Sequence, residues 1–239
     1  MLPYVNFQYL ALGPIKIYTW GFFVSLGFLA AVFFLIKKYP QEKDRIIDLL
    51  LYVLLGSILG ARLFFIAFYG EAPFRDILKI WQGGMSSFGG FIGGTVAIFI
   101  YSFVKKIKLR ALLDKIALAL PLGLAIARIG CFLINDHPGI KTTISIFSVA
   151  YPDGPRFDLG FLLMIFNLLL FLYLFFKGGK ENYLESFLFL YGIGRFFLDF
   201  LRVGEAKAAG LVPSQYGSIV MIGIALFLII KNKRYGFLG

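Results

Sequence analysis

Residues 159–176 read LGFLLMIFNLLLFLYLFF, eighteen positions with no charge and a single amide, Asn167. An α-helix needs about 20 mostly apolar residues to cross the hydrocarbon of a bilayer, so this stretch reads as a membrane span. Working outward, the same pattern recurs at Ile17–Ile36, Ile46–Tyr69, Phe88–Val104, Leu112–Ile134, Tyr183–Val203 and Tyr216–Ile230. The expected fold is therefore all-α: a polytopic integral membrane protein of about seven transmembrane helices, forming one transmembrane domain over residues 1–239. The third run is short, and its Gly89, Gly90, Gly93 and Gly94 make two overlapping GxxxG patterns. Gly56 and Gly60 offer a matching surface in the second, because small residues let two helix backbones approach closely.

Composition agrees. Hydrophobic residues make up 59% of the chain and the mean hydropathy is +0.84, whereas soluble domains are about 45–50% apolar. The net charge of +11 does not point to nucleic acid. The basic residues sit in short clusters between apolar runs, not on one continuous face. One cysteine, Cys131, and one histidine, His137, exclude an intramolecular disulfide and a Cys- or His-rich metal site. The opening MLPYVNFQYL lacks a basic leader region and is expected to stay in the mature protein.

Lysine and arginine set the expected orientation. Of the 24, fourteen fall in one set of loops and the C-terminus, in clusters such as Lys37–Arg45 and Lys105–Arg110, and six on the opposite side. The positive-inside rule then puts the N-terminus outside and the C-terminus in the cytoplasm. The segment Glu71–Gln82 is too charged to span and is expected to lie at the interface near the lipid entrance.

The four remaining cations, Arg62, Arg128, Arg195 and Arg202, fall within or at the ends of the apolar runs. A charge at a helix centre costs about 2.5–3.5 kcal/mol on insertion scales, so each marks a candidate functional site. Tyr191, Arg195, Asp199 and Arg202 are spaced four, four and three residues apart, which puts them on one helical face. On the expected topology three or four guanidinium groups converge below the outer surface. Converging arginines suit a phosphate, because the planar fork gives parallel hydrogen bonds to an anionic oxygen pair. In a membrane that phosphate is a phospholipid headgroup. The alternative is that Arg195 serves only Asp199 while Arg128 and Arg202 reach to the interface.

At these residues the chain resembles the prolipoprotein diacylglyceryl transferases, nearly end to end. The resemblance is carried by LGPIKIYTWG (12–21), GSILGARLFFIAFY (56–69), WQGGMSSFGGFIGG (81–94), ARIGCFLINDHPG (127–139), YGIGRFFLDFLR (191–202) and PSQYGS (213–218), in that order. It implies an enzyme of the bacterial plasma membrane whose site faces the outer leaflet. The diacylglyceryl group of phosphatidylglycerol would pass to the lipobox cysteine of a prolipoprotein signal peptide, with no metal or soluble cofactor. The resemblance makes Arg128 and Arg195 the leading phosphate ligands, with Arg202, Asp199 and Tyr191 orienting the site. Asp136 and His137 are candidates for proton transfer, although a loop histidine before proline also reads as a turn residue. Arg62, Ser86, Gly89, Gly90 and Gln215 are candidate substrate-binding residues.

The sequence departs from the family pattern at Phe88, where histidine or tyrosine is usual, and at Cys131, where asparagine is common. Asp136 replaces the usual glutamate. Phenylalanine can neither take a proton nor donate a hydrogen bond. Transfer by arginines and an acid such as Asp136 or Asp199 is one consequence. A lipid-binding relative without catalysis is another, and an anion or lipid transporter is the reading from a different class.

Overall fold

Among the described residues seven α-helices form, close to the bounds that the apolar runs predict: α1 (Thr19–Lys38), α2 (Lys43–Tyr69), α3 (Ser87–Val104), α4 (Leu109–Leu133), α5 (Leu159–Phe176), α6 (Tyr183–Leu198) and α7 (Pro213–Tyr235). The computed structural model describes residues 1–13, 15–69, 77, 84, 86–144, 146–178 and 182–235. The interfacial segment expected at Glu71–Gln82 lies outside the described residues, apart from residue 77. Among the described residues five helical stretches, Thr19–Lys38, Pro40–Phe68, Leu109–Leu133, Leu159–Phe176 and Pro213–Lys233, are long and apolar enough to cross a membrane, and Gly89–Val104 is a shorter apolar helix. The chain is a multi-pass membrane protein. Its helices turn bulky apolar side chains outward, with Phe103 85% exposed and Phe176 75%. Lipid tails solvate such a surface, whereas water would drive it to aggregate.

The backbone groups into two compact units, residues 34–113 in one and residues 1–33 with 114–239 in the other. The smaller unit is built on α2 against α3. A Cβ at Gly93 would stand 2.1 Å from the Gly56 carbonyl oxygen, and one at Gly60 would stand 2.4 Å from that of Gly89. The GxxxG surfaces therefore meet backbone to backbone, as their spacing predicts. Ser86 caps α3, its hydroxyl accepting from the Gly89 N–H at 3.4 Å.

In the larger unit α1 and α4 cross at another glycine pair, where a Cβ at Gly27 would lie 2.3 Å from the Gly123 carbonyl oxygen. The α6 and α7 helices are tied through Gln215, whose Nε2 donates to the Phe196 carbonyl at 3.1 Å. Hydropathy gave no sign of two small sheets here. Strands β1 (Tyr9–Leu12) and β2 (Ile15–Tyr18) pair antiparallel just before α1. Strands β3 (Pro138–Lys141), β4 (Ser148–Tyr151) and β5 (Gly154–Asp158) form an antiparallel sheet in the order β3-β5-β4 between α4 and α5. Asp158 closes that sheet onto α5: one carboxylate oxygen accepts from the Phe161 N–H at 2.8 Å and the other from the Tyr151 hydroxyl at 2.6 Å.

One boundary differs from expectation. The sixth run is α-helical only to Leu198; Asp199–Leu201 is a 3₁₀ turn and Arg202 is extended. The tighter turn carries Arg202 off the α-helical face and onto the strand that follows α4.

Candidate active site

The α4 helix ends in a turn that the sequence specifies. Asn135 adopts the left-handed conformation, φ +52°, at the position where helices commonly reverse. The carbonyls exposed there are taken up by the N-terminal segment, Phe7 N–H donating to Leu133 at 2.8 Å and Gln8 Nε2 to Ile134 at 3.2 Å. The reversal folds Asp136 and His137 back over the last turn of α4, and the Asp136 N–H donates to the Cys131 carbonyl at 3.2 Å. From the other side the sheet holds the histidine backbone: the Leu159 N–H donates to the His137 carbonyl at 3.1 Å, and Gly139 bridges Arg202.

Three guanidinium groups surround this turn. Arg195 Nε lies 3.0 Å from Asp199 Oδ2, and Asp199 is almost fully buried. Arg202 Nη1 lies 3.9 Å from the other Asp199 oxygen, while its Nη2 reaches Glu205 at 2.8 Å and His137 Nδ1 at 3.1 Å. Arg128 donates to the Cys131 sulfur at 3.7 Å. The charges of all three arginines act on His137, and those of Arg128 and Arg202 act on Arg195. Tyr191 lies one turn before Arg195, its ring stacked on Phe187 at 5.2 Å.

The cluster has unused capacity for an anion. Arg195 is 8% exposed, and its Nη1 has no hydrogen-bond partner among the described residues. Among those residues no carboxylate pairs with Arg128 either. Leaving a buried donor unmet is costly, so Arg195 Nη1 marks where a ligand's oxygen belongs. Cys131, Asp136 and His137 also bring sulfur, oxygen and nitrogen within 4.8 Å of one another. Two of those lone pairs already face guanidinium groups, and the arginines around them repel a cation.

His137 is outside the spans, and its imidazole is pulled down to about 4. Burial is the first cause, since it penalises the charged ring; Arg202, Arg128 and Arg195 push the same way and Asp136 opposes them. The ring is therefore neutral near pH 7. Arg202 can only donate, so Nδ1 is the acceptor and the proton sits on Nε2, 3.3 Å from Asp136 Oδ2.

The candidate residues of the larger unit do not all gather here. Arg128, Arg195, Arg202, Asp199, Asp136 and His137 are drawn together, with Tyr191 beside Arg195. Gln215 spends its amide on structure, its Oε1 accepting from the Val212 N–H at 3.0 Å and its Nε2 holding α6. Ser86 and Gly89 are used in the cap and packing of α3, and Gly90 leaves ordinary contact space. Arg62, 2% exposed, donates to the Gly84 carbonyl at 3.0 Å in the smaller unit. The reading of the motifs missed Asn135 as the turn that aims the dipeptide; an Asn just past a helix end was the available signal.

Known proteins resemble this chain along most of its length. The family model for prolipoprotein diacylglyceryl transferase matches residues 8–231. A phosphatidylglycerol–prolipoprotein diacylglyceryl transferase of Streptococcus equi subsp. zooepidemicus is 30% identical over 242 residues, covering 93% of each chain. A protein of Francisella tularensis subsp. holarctica with the same name is 33% identical over 84% of this chain and 81% of its own. A Clostridium perfringens protein, numbered 2 under that name, is 29% identical over 92% of this chain. The match runs through α1, the arginine helix and the turn after α4, and on it the chain belongs to the prolipoprotein diacylglyceryl transferase family.

Proposed function

We propose that this chain transfers the diacylglyceryl group of phosphatidylglycerol to the lipobox cysteine of a prolipoprotein, the first step of bacterial lipoprotein maturation. Its family membership makes it a transferase of lipoprotein biosynthesis. The observation that carries the reading to this chain's own residues is the buried Arg195 Nη1, a donor without a partner among the described residues. In the reaction the cysteine sulfur bonds to the glyceryl carbon, the carbon–oxygen bond to phosphate breaks, and glycerol phosphate leaves with the electron pair. Arg128 and Arg195 hold the phosphate and neutralise charge that grows on the leaving oxygen. Such preorganised stabilisation of a removed donor is worth about 10²–10³ in rate. Asp199, Arg202 and Tyr191 keep the arginines aimed.

The excess of Lys and Arg on one set of loops supports a chain embedded in the bacterial plasma membrane, N-terminus outside and site toward the outer leaflet. Phe88, which cannot exchange a proton, favours one rival, a lipid-binding relative without catalysis. The test is transfer by purified protein in micelles containing phosphatidylglycerol and a lipobox peptide, read by peptide mass. A gain of one diacylglyceryl group, absent when the cysteine is serine, is expected. No gain with lipid still bound would leave the lipid-binding rival, and no binding would leave an anion or lipid transporter.

A further inference from the structure

We infer that Asp136 and His137 form the proton-accepting pair for the incoming thiol, and that Arg202 holds the pair idle until a phosphate draws this arginine away. The inference rests on the transfer reading above and supplies the base that Phe88 cannot provide. Three observations carry it. His137 is the only histidine in the chain, and the Asn135 reversal and the β3–β5 sheet hold it by its backbone inside the arginine group. Asp136 faces Nε2–H at 3.3 Å, the contact that fixes an imidazole's tautomer and stabilises its charged form. The remaining lone pair, on Nδ1, meets an Arg202 proton at 3.1 Å, so it cannot accept from a thiol while that contact stands.

A phosphate changes this arrangement in two ways. It competes for Arg202, whose Nη2 already meets Glu205 at 2.8 Å, so the contact with the neutral His137 nitrogen is the weaker of the two and the first given up to a further anionic oxygen. It also cancels the positive charge that, with burial, keeps the ring hard to protonate, leaving the pull of Asp136 in place. The imidazole then gains proton affinity only with lipid bound. The thiol proton passes to Nδ1, the thiolate sulfur attacks the glyceryl carbon, and the proton is returned to solvent after glycerol phosphate departs. Without lipid the ring stays neutral and capped, so the pair does not protonate unproductively.

The test compares two synthetic lipobox peptides, one with cysteine and one with selenocysteine, whose selenol is ionised at neutral pH and needs no base. His137→Asn keeps an acceptor for Arg202 but cannot take a proton. It is expected to lose about 10²–10⁴ in kcat/KM on the cysteine peptide, the usual contribution of a general base, and to remain near wild type on the selenocysteine peptide. Asp136→Asn should show the same selectivity with a smaller loss. Turnover of the selenol peptide also reports that a variant is folded and binds lipid. If His137→Asn is inactive on both peptides, His137→Gln and Asp136→Asn are read in its place. Equal loss on the two peptides across these variants, or no loss on cysteine, overturns the proposal. Wild-type protein that modifies neither peptide overturns the transfer reading and this one with it.

Discussion

Arg202 Nη2 and His137 Nδ1 lie 3.1 Å apart, although 64 residues separate them along the chain. The contact joins the end of the arginine helix to the turn after α4. It fixes which nitrogen of the only histidine carries a proton, and it places a titratable group among three cations.

The first consequence concerns those cations. Arg128→Ala and Arg195→Ala are each expected to lower transfer by about 10²–10³ or more, because on the proposed function each removes donors that hold the phosphate. Both variants should still insert, as α4 and α6 keep their apolar faces. The assay is peptide mass gain in phosphatidylglycerol micelles; full activity in both variants would remove the phosphate clamp.

A second expectation follows from the ring's environment. The unfolded chain's histidine titrates near 6.5 and the folded one near 4. Between these values the unfolded state binds more protons, so stability rises with pH across the window. The contribution of His137 is fully present above about 6.5 and is lost as pH falls toward 4. With one histidine in the chain, a single imidazole signal in nuclear magnetic resonance reports the titration directly. Thermal unfolding of His137→Asn should lose this part of the pH dependence, and a midpoint near 6.5 in the folded protein would refute the assignment.

Glycines on α3 should respond unequally. A methyl at Gly93 meets a backbone carbonyl of α2 at 2.1 Å and cannot be relieved by a side-chain rotation, whereas one at Gly90 finds its nearest atom at 3.6 Å. Gly93→Ala is expected to cost at least about 1–3 kcal/mol, the usual penalty of overpacking. Gly90→Ala should be tolerated. Thermal unfolding in detergent, compared between the two, checks the difference.

The junction between sheet and α5 gives a fourth prediction. Asp158 is fully buried, caps the helix and accepts from Tyr151. Asp158→Ala removes a cap worth about 0.5–2 kcal/mol and leaves a half-buried hydroxyl without its acceptor. Tyr151→Phe, which removes only the donor and leaves the Asp158 cap on the Phe161 N–H in place, should be milder. Melting temperatures of the two variants should fall in that order.

The sequence by itself determined that the chain is helical and membrane-embedded. Apolar runs such as Leu159–Phe176 have no other stable solvent, and lipid obliges a spanning segment to satisfy its backbone internally. It also determined the α2–α3 contact, because glycines at four-residue spacing fall on one helical face whatever surrounds them. The arginines were legible as residues too costly to bury without purpose, and the order of the motifs named their family. What hydropathy could not show was the pair of small sheets, whose strands are only four or five residues long and are stabilised by pairing, not by their own pattern. Nor could spacing show that α6 tightens after Leu198 and delivers Arg202 to His137. Only the tertiary structure decided the chemistry of that histidine. Its tautomer and proton affinity depend on Arg202, Asp136 and burial, which come from segments distant in sequence and act only when the fold sets them a few ångströms apart.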